Sequence, residues 1–159
     1  MWIDKDTFKT VVGVAPLVSI DLVVERADGN ILLGQRINRP AQGYWFVPGG
    51  RILKDESLNA AFRRLSLGEL GQTFELQQAQ FLGVYEHFYT DSVFGEGDVN
   101  PSTHYVVLGF HLKLNTGVEL SLPTEQHDNY RWLSSKAISE DSDVHKYSRA
   151  YLAALSPAH

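Results

Sequence analysis

Glycines, carboxylates and an arginine follow one another at fixed spacing in the middle of the chain. Gly49 and Gly50 precede Glu56, Arg64 and Glu69. Glycine lets the backbone turn so that a carbonyl oxygen faces a metal or a phosphate, and carboxylates on a neighbouring helix supply the oxygen ligands that Mg²⁺ prefers. For Glu56 and Arg64 we favour a structural role, a charge-assisted pair that fixes a loop against a helix.

A histidine in a second polar segment has the chemistry of a general base. Residues 124–128 read Thr-Glu-Gln-His-Asp, and His127 stands between Pro123 and a short strand that includes Trp132. Polar loops beside strands often carry site residues, and the imidazole pKa suits proton transfer near neutral pH. A surface histidine without a role is the alternative, and these residues alone leave it open.

Positive charge is concentrated in one part of an acidic chain. The chain has 14 Lys+Arg and 19 Asp+Glu, a net charge of -5. Residues 34–64 hold six basic and two acidic side chains, whereas residues 85–143 hold ten acidic and three basic ones. A basic segment in an acidic protein is typical of a pocket for a small polyanion, although chance scatter explains it equally well. The acidic total argues against nucleic acid as a partner.

The hydrophobic pattern predicts the elements that position these groups. Apolar residues between 58 and 65 recur at helical spacing, with Asp55 or Ser57 as the N-cap and Gly71 at the end. Strands are predicted over 17–25, 31–35, 44–47, 81–88, 104–114 and 130–133, and a second helix over 144–155 after an Asp143 cap. Mixed strands with two helices predict an α/β fold. The glycine-rich segment 91–102 is expected to be a loop that closes over the site.

Length and composition favour one soluble domain over residues 1–159. The chain is 43% hydrophobic and 11% aromatic, and it has no Cys, so a disulfide framework and a cysteine nucleophile are excluded. The first residues carry acids where a secretory signal carries bases, and no apolar run approaches the ~20 residues that span a bilayer. We therefore expect a cytoplasmic protein with no membrane partner.

The spacing from Gly50 onwards resembles the Nudix box. That pattern places a Glu, an Arg, a Glu pair and a Gly after its first glycine, and the matching positions here are Gly50, Glu56, Arg64, Glu69 and Gly71. The resemblance implies an α/β/α sandwich around a mixed β-sheet, with a divalent metal that holds a nucleoside diphosphate.

Two carboxylates of the box are missing. Leu65 stands where the pattern has a Glu after the Arg, and Gly68 stands at the first of the paired Glu positions. In most Nudix enzymes these carboxylates bind metals and help to activate water for attack at phosphorus. Leucine does neither, so the site is either inactive or holds fewer metals and does different chemistry.

The wider pattern resembles one Nudix family, the GDP-mannose mannosyl hydrolases. The run over 38–50, Asn-Arg-Pro-Ala-Gln-Gly-Tyr-Trp-Phe-Val-Pro-Gly-Gly, and the Glu-Gln-His-Asp segment carry a likeness that extends over residues 8–151. That family releases GDP and free sugar by attack of water at the anomeric carbon, with inversion. The resemblance implies a homodimer and a nucleotide-sugar substrate, GDP-mannose or GDP-glucose.

The resemblance also assigns roles to residues. Mg²⁺, with Mn²⁺ as a substitute, would be held by the Gly49 carbonyl, Glu69 and Gln126, and His127 would be the general base. Of the other assigned positions, Arg36, Arg51 and Tyr105 would contact the diphosphate, and Trp2 and Phe8 the guanine. Asp21 would make a polar contact with the sugar or with another group of the site. On the residues alone, Asp21 is equally a buried hydrogen-bonded acid and Tyr105 a core residue, and the two aromatics fit a dimer contact or plain packing.

Two other functions stay open. One is a Nudix diphosphatase that cleaves a P–O bond of a nucleotide or nucleotide sugar, against which the loss of two carboxylates argues. The other is a non-catalytic module that binds a nucleotide sugar through a degraded box, against which the retained Glu69 and His127 argue.

Overall fold

The structure is a computed structural model that describes residues 3–97, 99–123 and 127–155, with the backbone alone at 127 and 128. The helices are α1 Lys5–Val14, α2 Leu58–Leu70, α3 Ser135–Glu140 and α4 Lys146–Arg149, with 3₁₀ turns at Leu76–Gln78 and Ala150–Ala154. The strands are β1 Leu17–Glu25, β2 Ile31–Arg36, β3 Trp45–Phe46, β4 Gly49–Arg51, β5 Ala79–Tyr89, β6 Thr103–Lys113 and β7 His127–Leu133. No helix in the described part of the chain is long and apolar enough to cross a membrane.

The described strands form one mixed sheet with β1 near its centre. β1 pairs in parallel with β6 along its whole length, and its other edge pairs antiparallel with β4 and β2. β2 continues the sheet to β3 and β7, and β5 lies outside β6. In this register Asp21 lies between Gly49 on one side and Gly109 on the other.

Side chains of β1 alternate between two hydrophobic cores because successive residues of a strand face opposite sides of the sheet. Ile20, Leu22 and Val24 are buried in the core that contains α2, whereas Val23 packs in the core of α3 and the C-terminal turns, which includes Tyr151. Helices therefore cover both faces of the mixed sheet. This arrangement confirms the predicted α/β/α sandwich.

The predicted long helix is present with the predicted ends. The Ser57 hydroxyl, not Asp55, caps α2 by accepting a hydrogen bond from the Ala60 amide at 3.1 Å, and Gly71 ends the helix with a φ of 76°. Arg64 donates to both Glu56 carboxylate oxygens, at 2.7 and 2.9 Å. The expected loop-to-helix ion pair is thus confirmed.

One helix was not predicted, and the predicted bounds of another were wrong. The sequence analysis missed α1, which Asp4 caps by accepting from the Thr7 amide. The helix predicted over 144–155 begins only at Lys146 and becomes a 3₁₀ turn, and His145 caps it in place of Asp143. The reason is backbone pairing: Trp45 donates to the Asp143 carbonyl, and the Trp45 carbonyl accepts from His145, so this stretch is held extended.

Candidate active site

A cavity of about 420 Å³ opens on the face of the sheet opposite α2. We call it the main cavity; α1, β1, β2, β4, β5 and β6 all contribute to its wall. Six of the residues singled out in the sequence line it: Phe8, Asp21, Arg36, Gly49, Arg51 and Tyr105. Residues that are far apart in the chain are thus brought together around one polar cavity.

Asp21 is both a buried hydrogen-bonded acid and a residue of the candidate site, the two interpretations that the sequence left open. Its carboxylate accepts a hydrogen bond from the Tyr151 hydroxyl at 2.6 Å, and it also lines the main cavity. Burial raises the pKa of Asp21 to about 6, against the Tyr151 hydrogen bond and the positive charge of Arg36, which lower it. A buried acid held in one orientation suits a defined polar contact with a ligand.

Three arginines line the main cavity, Arg36, Arg39 and Arg51, and two of them lie over aromatic rings. The Arg51 guanidinium lies over the Phe8 ring, 4.6 Å from its centroid, and Arg36 lies 5.3 Å from that of Phe46. Both arginines lower the pKa of Tyr105, which burial raises. Guanidinium groups held by aromatic rings beside a phenol hydroxyl are well suited to bind a diphosphate.

A loop closes one side of the main cavity. Arg39 donates to Asp91 at 3.3 Å and to Glu96 at 3.1 Å, and the Phe94 ring packs 5.9 Å from Phe8. The segment 91–102, predicted as a loop over the site, therefore contacts both α1 and the loop that follows β2. Its opening and closing remain a prediction.

A second cavity of about 340 Å³ shares Gly50 and Arg51 with the main one. Glu69 of α2 and Tyr130 of β7 line it, and the Tyr130 hydroxyl donates to the Pro123 carbonyl. Burial raises the pKa of Glu69 to about 7; Arg36 opposes this and Asp21 adds to it. Charged groups of the main cavity thus affect the ionisation of Glu69 in the second cavity. We call the place where the two cavities meet, at Gly50 and Arg51, the Gly50 junction.

Two residues near this junction carry oxygen donors of the kind that a divalent metal takes, but the described residues hold no group of three or more His, Asp or Glu side chains that could bind one. A side chain at Gly49 would lie 2.3 Å from the Asp21 carboxylate and 2.5 Å from the Ile20 carbonyl, so only glycine lets β4 lie this close to β1 at the wall of the main cavity. The buried Glu69 carboxylate lines the adjoining cavity. Carbonyl and carboxylate oxygens are the donors that Mg²⁺ and Mn²⁺ accept.

Leu65 fills the place of the missing box carboxylate. It is 5% exposed, packs in the α2 core, and lies where a Cβ at Gly50 would be 2.4 Å from its Cδ2 atom. Gly68, in contrast, has nothing within 4 Å of the position where a Cβ would stand. Leu65 is therefore part of the core packing while it also borders the second cavity, and the Gly68 position has open space around it.

Restoring these two carboxylates is expected to have unequal effects on stability. Leu65→Glu removes core packing and buries a charge, so we expect a loss of roughly 3–5 kcal/mol in the free energy of unfolding. Gly68→Glu places a better helix former in open space and is expected to be neutral or stabilising by up to about 1 kcal/mol. Urea unfolding of both variants measures this, and equal losses would contradict the packing argument.

Three predicted residues are described partly or not at all. Trp2 and Gln126 lie outside the described residues, and His127 is described by its backbone only. In the pairing of β2 with β7, His127 is the partner of Arg36. Strand β7 thus begins opposite Arg36, which lines the main cavity.

The sequence analysis missed His87. This residue of β5 lines the main cavity, is 5% exposed and stacks on Tyr147 with ring centroids 4.3 Å apart. Burial and nearby His145 lower the pKa of His87 to about 4, so the ring is neutral at pH 7. Its Nε2 atom has no hydrogen-bond partner in the described part of the chain. The sequence contained one indication of its role: His87 stands in a strand rich in aromatic residues, on the side that faces into the protein.

Comparisons with known proteins show the family of the chain. The NUDIX domain family matches residues 15–155. The chain is 37% identical over 155 residues to the low-salt glycan biosynthesis protein Agl8 of Haloferax volcanii, an alignment that spans 96% of this chain and 90% of that protein.

Solved structures share the fold. A MutT NUDIX hydrolase from Burkholderia pseudomallei superposes with a TM-score of 0.68 at 25% identity, over 89% of this chain and 98% of that one. The NUDIX domain of Shewanella oneidensis NrtR, complexed with ADP ribose, superposes with a TM-score of 0.65 at 18% identity, over 96% and 90% of the two chains.

Proposed function

The chain belongs to the NUDIX domain family of hydrolases, and from this premise we propose that it hydrolyses a nucleotide sugar, GDP-mannose first and GDP-glucose second, to GDP and free sugar. Water attacks the anomeric carbon, and the configuration there is inverted. The observation that carries the proposal is Leu65, which packs against Gly50. It stands at the position where the Nudix pattern has a carboxylate that helps to activate water for attack at phosphorus. As its assembly we propose a homodimer.

The relatives support a sugar nucleotide as the substrate class. Agl8 is described as a glycan biosynthesis protein, and glycan assembly draws on activated sugars. The NrtR domain is complexed with ADP ribose, a nucleoside diphosphate that carries a sugar. Activated sugars and ADP ribose both combine a diphosphate with a neutral, polar sugar. The main cavity likewise combines arginines, which suit a diphosphate, with Asp21 and His87, which suit sugar hydroxyl groups.

Arg36 and Arg51 bind the diphosphate, with the Tyr105 hydroxyl as a third contact. Negative charge grows on the diphosphate as the bond to the anomeric carbon breaks. Guanidinium groups fixed before the reaction stabilise that charge without rearrangement of solvent. These side chains therefore favour departure of GDP, which is the step that hydrolysis at carbon requires.

A divalent metal would be held by the Gly49 carbonyl, Glu69 and Gln126. Bound Mg²⁺, or Mn²⁺ in its place, supplies charge neutralisation on the leaving diphosphate. Glu69 must be ionised to take part; burial raises its pKa to about 7, and the neighbouring Arg36 opposes that rise.

His127 removes the proton from the attacking water. The support for this role is that β7 begins beside β2, whose Arg36 lines the main cavity. A single displacement by water on the far side of the sugar inverts the anomeric centre.

Asp21 and His87 hold the sugar by hydrogen bonds to its hydroxyl groups. We expect His87→Phe to lower kcat/KM by roughly tenfold, the value of one neutral hydrogen bond. Phenylalanine keeps the stacking on Tyr147, so unfolding should change little. The matched control is His104→Phe, since His104 has an equally unpartnered Nε2 atom but lies on the other face of the sheet. Equal losses in both variants would remove His87 from the site.

Product analysis in ¹⁸O-labelled water tests the reaction. GDP-mannose with Mg²⁺ should give labelled mannose and unlabelled GDP, with the β-anomer formed first. Label in GMP or mannose 1-phosphate would mean attack at phosphorus and a diphosphatase. Binding without any product from GDP-mannose or GDP-glucose would favour the non-catalytic module.

A further inference from the structure

The C-terminal segment, residues 146–154, supports the wall of the main cavity from the core. Tyr151 in this segment is fully buried and packs with Val23 and Leu33. Its hydroxyl donates to the Oδ2 atom of Asp21 at 2.6 Å. Because Asp21 lines the main cavity, a residue of the core thus holds a residue that we place against the sugar.

A glycine of the neighbouring strand makes room for the Tyr151 ring. Gly109 of β6 is the strand partner of Asp21, and a Cβ there would lie 2.8 Å from the Tyr151 Cε1 atom and 3.2 Å from the Tyr85 Cε2 atom. The Tyr85 ring packs edge-on against Tyr151, with the ring centroids 4.6 Å apart. A side chain at position 109 would therefore require the Tyr151 ring to move.

Two further contacts fix the segment that carries Tyr151. The Ser148 hydroxyl accepts a buried hydrogen bond from the Val47 amide at 3.0 Å. The Tyr147 hydroxyl donates to the Phe88 carbonyl at 2.9 Å and accepts from the Phe88 amide at 3.0 Å. These contacts join the segment to β5 and to the residue that follows β3, on either side of β1. The fold therefore sets the position of the Tyr151 hydroxyl.

The two carboxylate oxygens of Asp21 have different surroundings. Oδ2 accepts from Tyr151, whereas Oδ1 lies 2.3 Å from the point where a Cβ of Gly49 would stand. Gly49 lines the main cavity, which places Oδ1 at the cavity wall. A hydrogen bond weakens steeply as its angle departs from linear. An acceptor oxygen held in one place therefore distinguishes sugar hydroxyl groups that point in different directions.

We propose that Tyr151 is a positioning residue for sugar selection, because it holds Asp21 with Oδ1 turned toward the sugar. The inference rests on the proposed function, in which Asp21 contacts the sugar, and it extends sugar selection to the C-terminal segment. Mannose and glucose differ only in the configuration at C2, so their GDP derivatives have the same charge and the same diphosphate. A site that selects between them uses a directed contact with the sugar.

The variant Tyr151→Phe keeps the ring in the core and removes only the hydroxyl. In the presence of Mg²⁺, we expect the ratio of kcat/KM for GDP-mannose to kcat/KM for GDP-glucose to fall by roughly tenfold, the value of one hydrogen bond. Calorimetric titration without Mg²⁺, which prevents turnover, should show a similar loss in the ratio of the two dissociation constants. The affinity for GDP, which has no hexose, should change little because the arginines are unaltered.

Matched variants separate the hydrogen bond from the packing. Tyr85→Phe removes a hydroxyl from the same core but leaves the contact between Tyr151 and Asp21 in place, so both ratios should be unchanged. Gly109→Ala keeps the Tyr151 hydroxyl but displaces its ring, and it should lower the ratios as Tyr151→Phe does. In a chain that already carries Asp21→Asn, Tyr151→Phe should have no further effect on selectivity, because Tyr151 acts through Asp21.

Three results would overturn the inference. The first is unchanged selectivity in Tyr151→Phe, and the second is an equal loss of GDP affinity, which would mean general damage to the cavity. The third is equal binding of GDP-mannose and GDP-glucose by the unaltered chain, since the site then selects no sugar. The ¹⁸O product analysis is a separate test: label in GMP would overturn the proposed reaction, whereas the metal-free dissociation constants would still decide the role of Tyr151.

Discussion

Replacement of His127 by glutamine is expected to lower kcat by roughly 10²–10⁴, or about 3–5 kcal/mol of transition-state stabilisation, because the general base is lost. Affinity for GDP should change little, since glutamine keeps a polar side chain and the arginines remain. Steady-state kinetics with GDP-mannose, together with calorimetric titration of GDP, separate these two quantities.

The pH dependence of kcat is a second test of His127. A histidine base works when it is neutral, so kcat should rise as the pH increases and the imidazole loses its proton. Asp21 and Glu69 ionise over a similar range, with pKa values of about 6 and 7, and they contribute to the rise in kcat/KM. The matched control is His104→Gln on the opposite face of the sheet. Near-full activity of His127→Gln would remove His127 from the mechanism.

Glu69→Gln should weaken Mg²⁺ binding and reduce activity at limiting Mg²⁺ by roughly 10²-fold or more, because a charged oxygen ligand is replaced by a neutral one. The same variant should stabilise the metal-free protein. The pKa of Glu69 is raised by burial from 4.5 to about 7, so its ionisation lowers the stability of the folded state as the pH rises from about 4.5 to 7. At pH 8, glutamine should therefore raise the free energy of unfolding by about 1–3 kcal/mol.

Calorimetric titration with Mg²⁺ and Mn²⁺ and thermal unfolding at pH 5 and pH 8 measure both effects. The stability gain should disappear at pH 5, where Glu69 is protonated in the folded state. The control is Glu75→Gln, at an exposed position that pairs with Arg63. Unchanged metal dependence in Glu69→Gln would refute the ligand assignment, and lower stability at pH 8 would refute the burial argument.

Local signals were sufficient for much of the fold. The α2 helix was predictable because apolar spacing, an N-cap and a terminal glycine all agree there. The C-terminal region has the same apolar spacing, but Trp45 holds residues 143–145 in an extended pairing that no local pattern reveals. The α1 helix had a readable signal, since Asp4 precedes it and Phe8 and Val12 recur at helical spacing; the polar first turn concealed it.

The candidate site was predictable in part, and for different reasons. Arg36, Arg51 and Asp21 were found through a family pattern, and the structure brings them to one cavity. His87 was missed because its significance comes from burial without a hydrogen-bond partner, which exists only in three dimensions. The space around Leu65 and Gly68 differs because of packing in the folded protein. In the sequence, the two positions differ from the Nudix pattern in the same way, by the loss of a carboxylate.

The hydrogen bond from Tyr151 to Asp21 has a consequence for folding kinetics. It joins residues 130 positions apart, and Tyr151 is fully buried. Closure of so long a loop is entropically unfavourable until other contacts compensate for it, and chains rich in such distant contacts fold slowly. A partly folded chain that lacks its C-terminal turns would leave Asp21 without this partner. Ligand-binding competence should therefore emerge in the last phase of refolding, together with the burial of Tyr151.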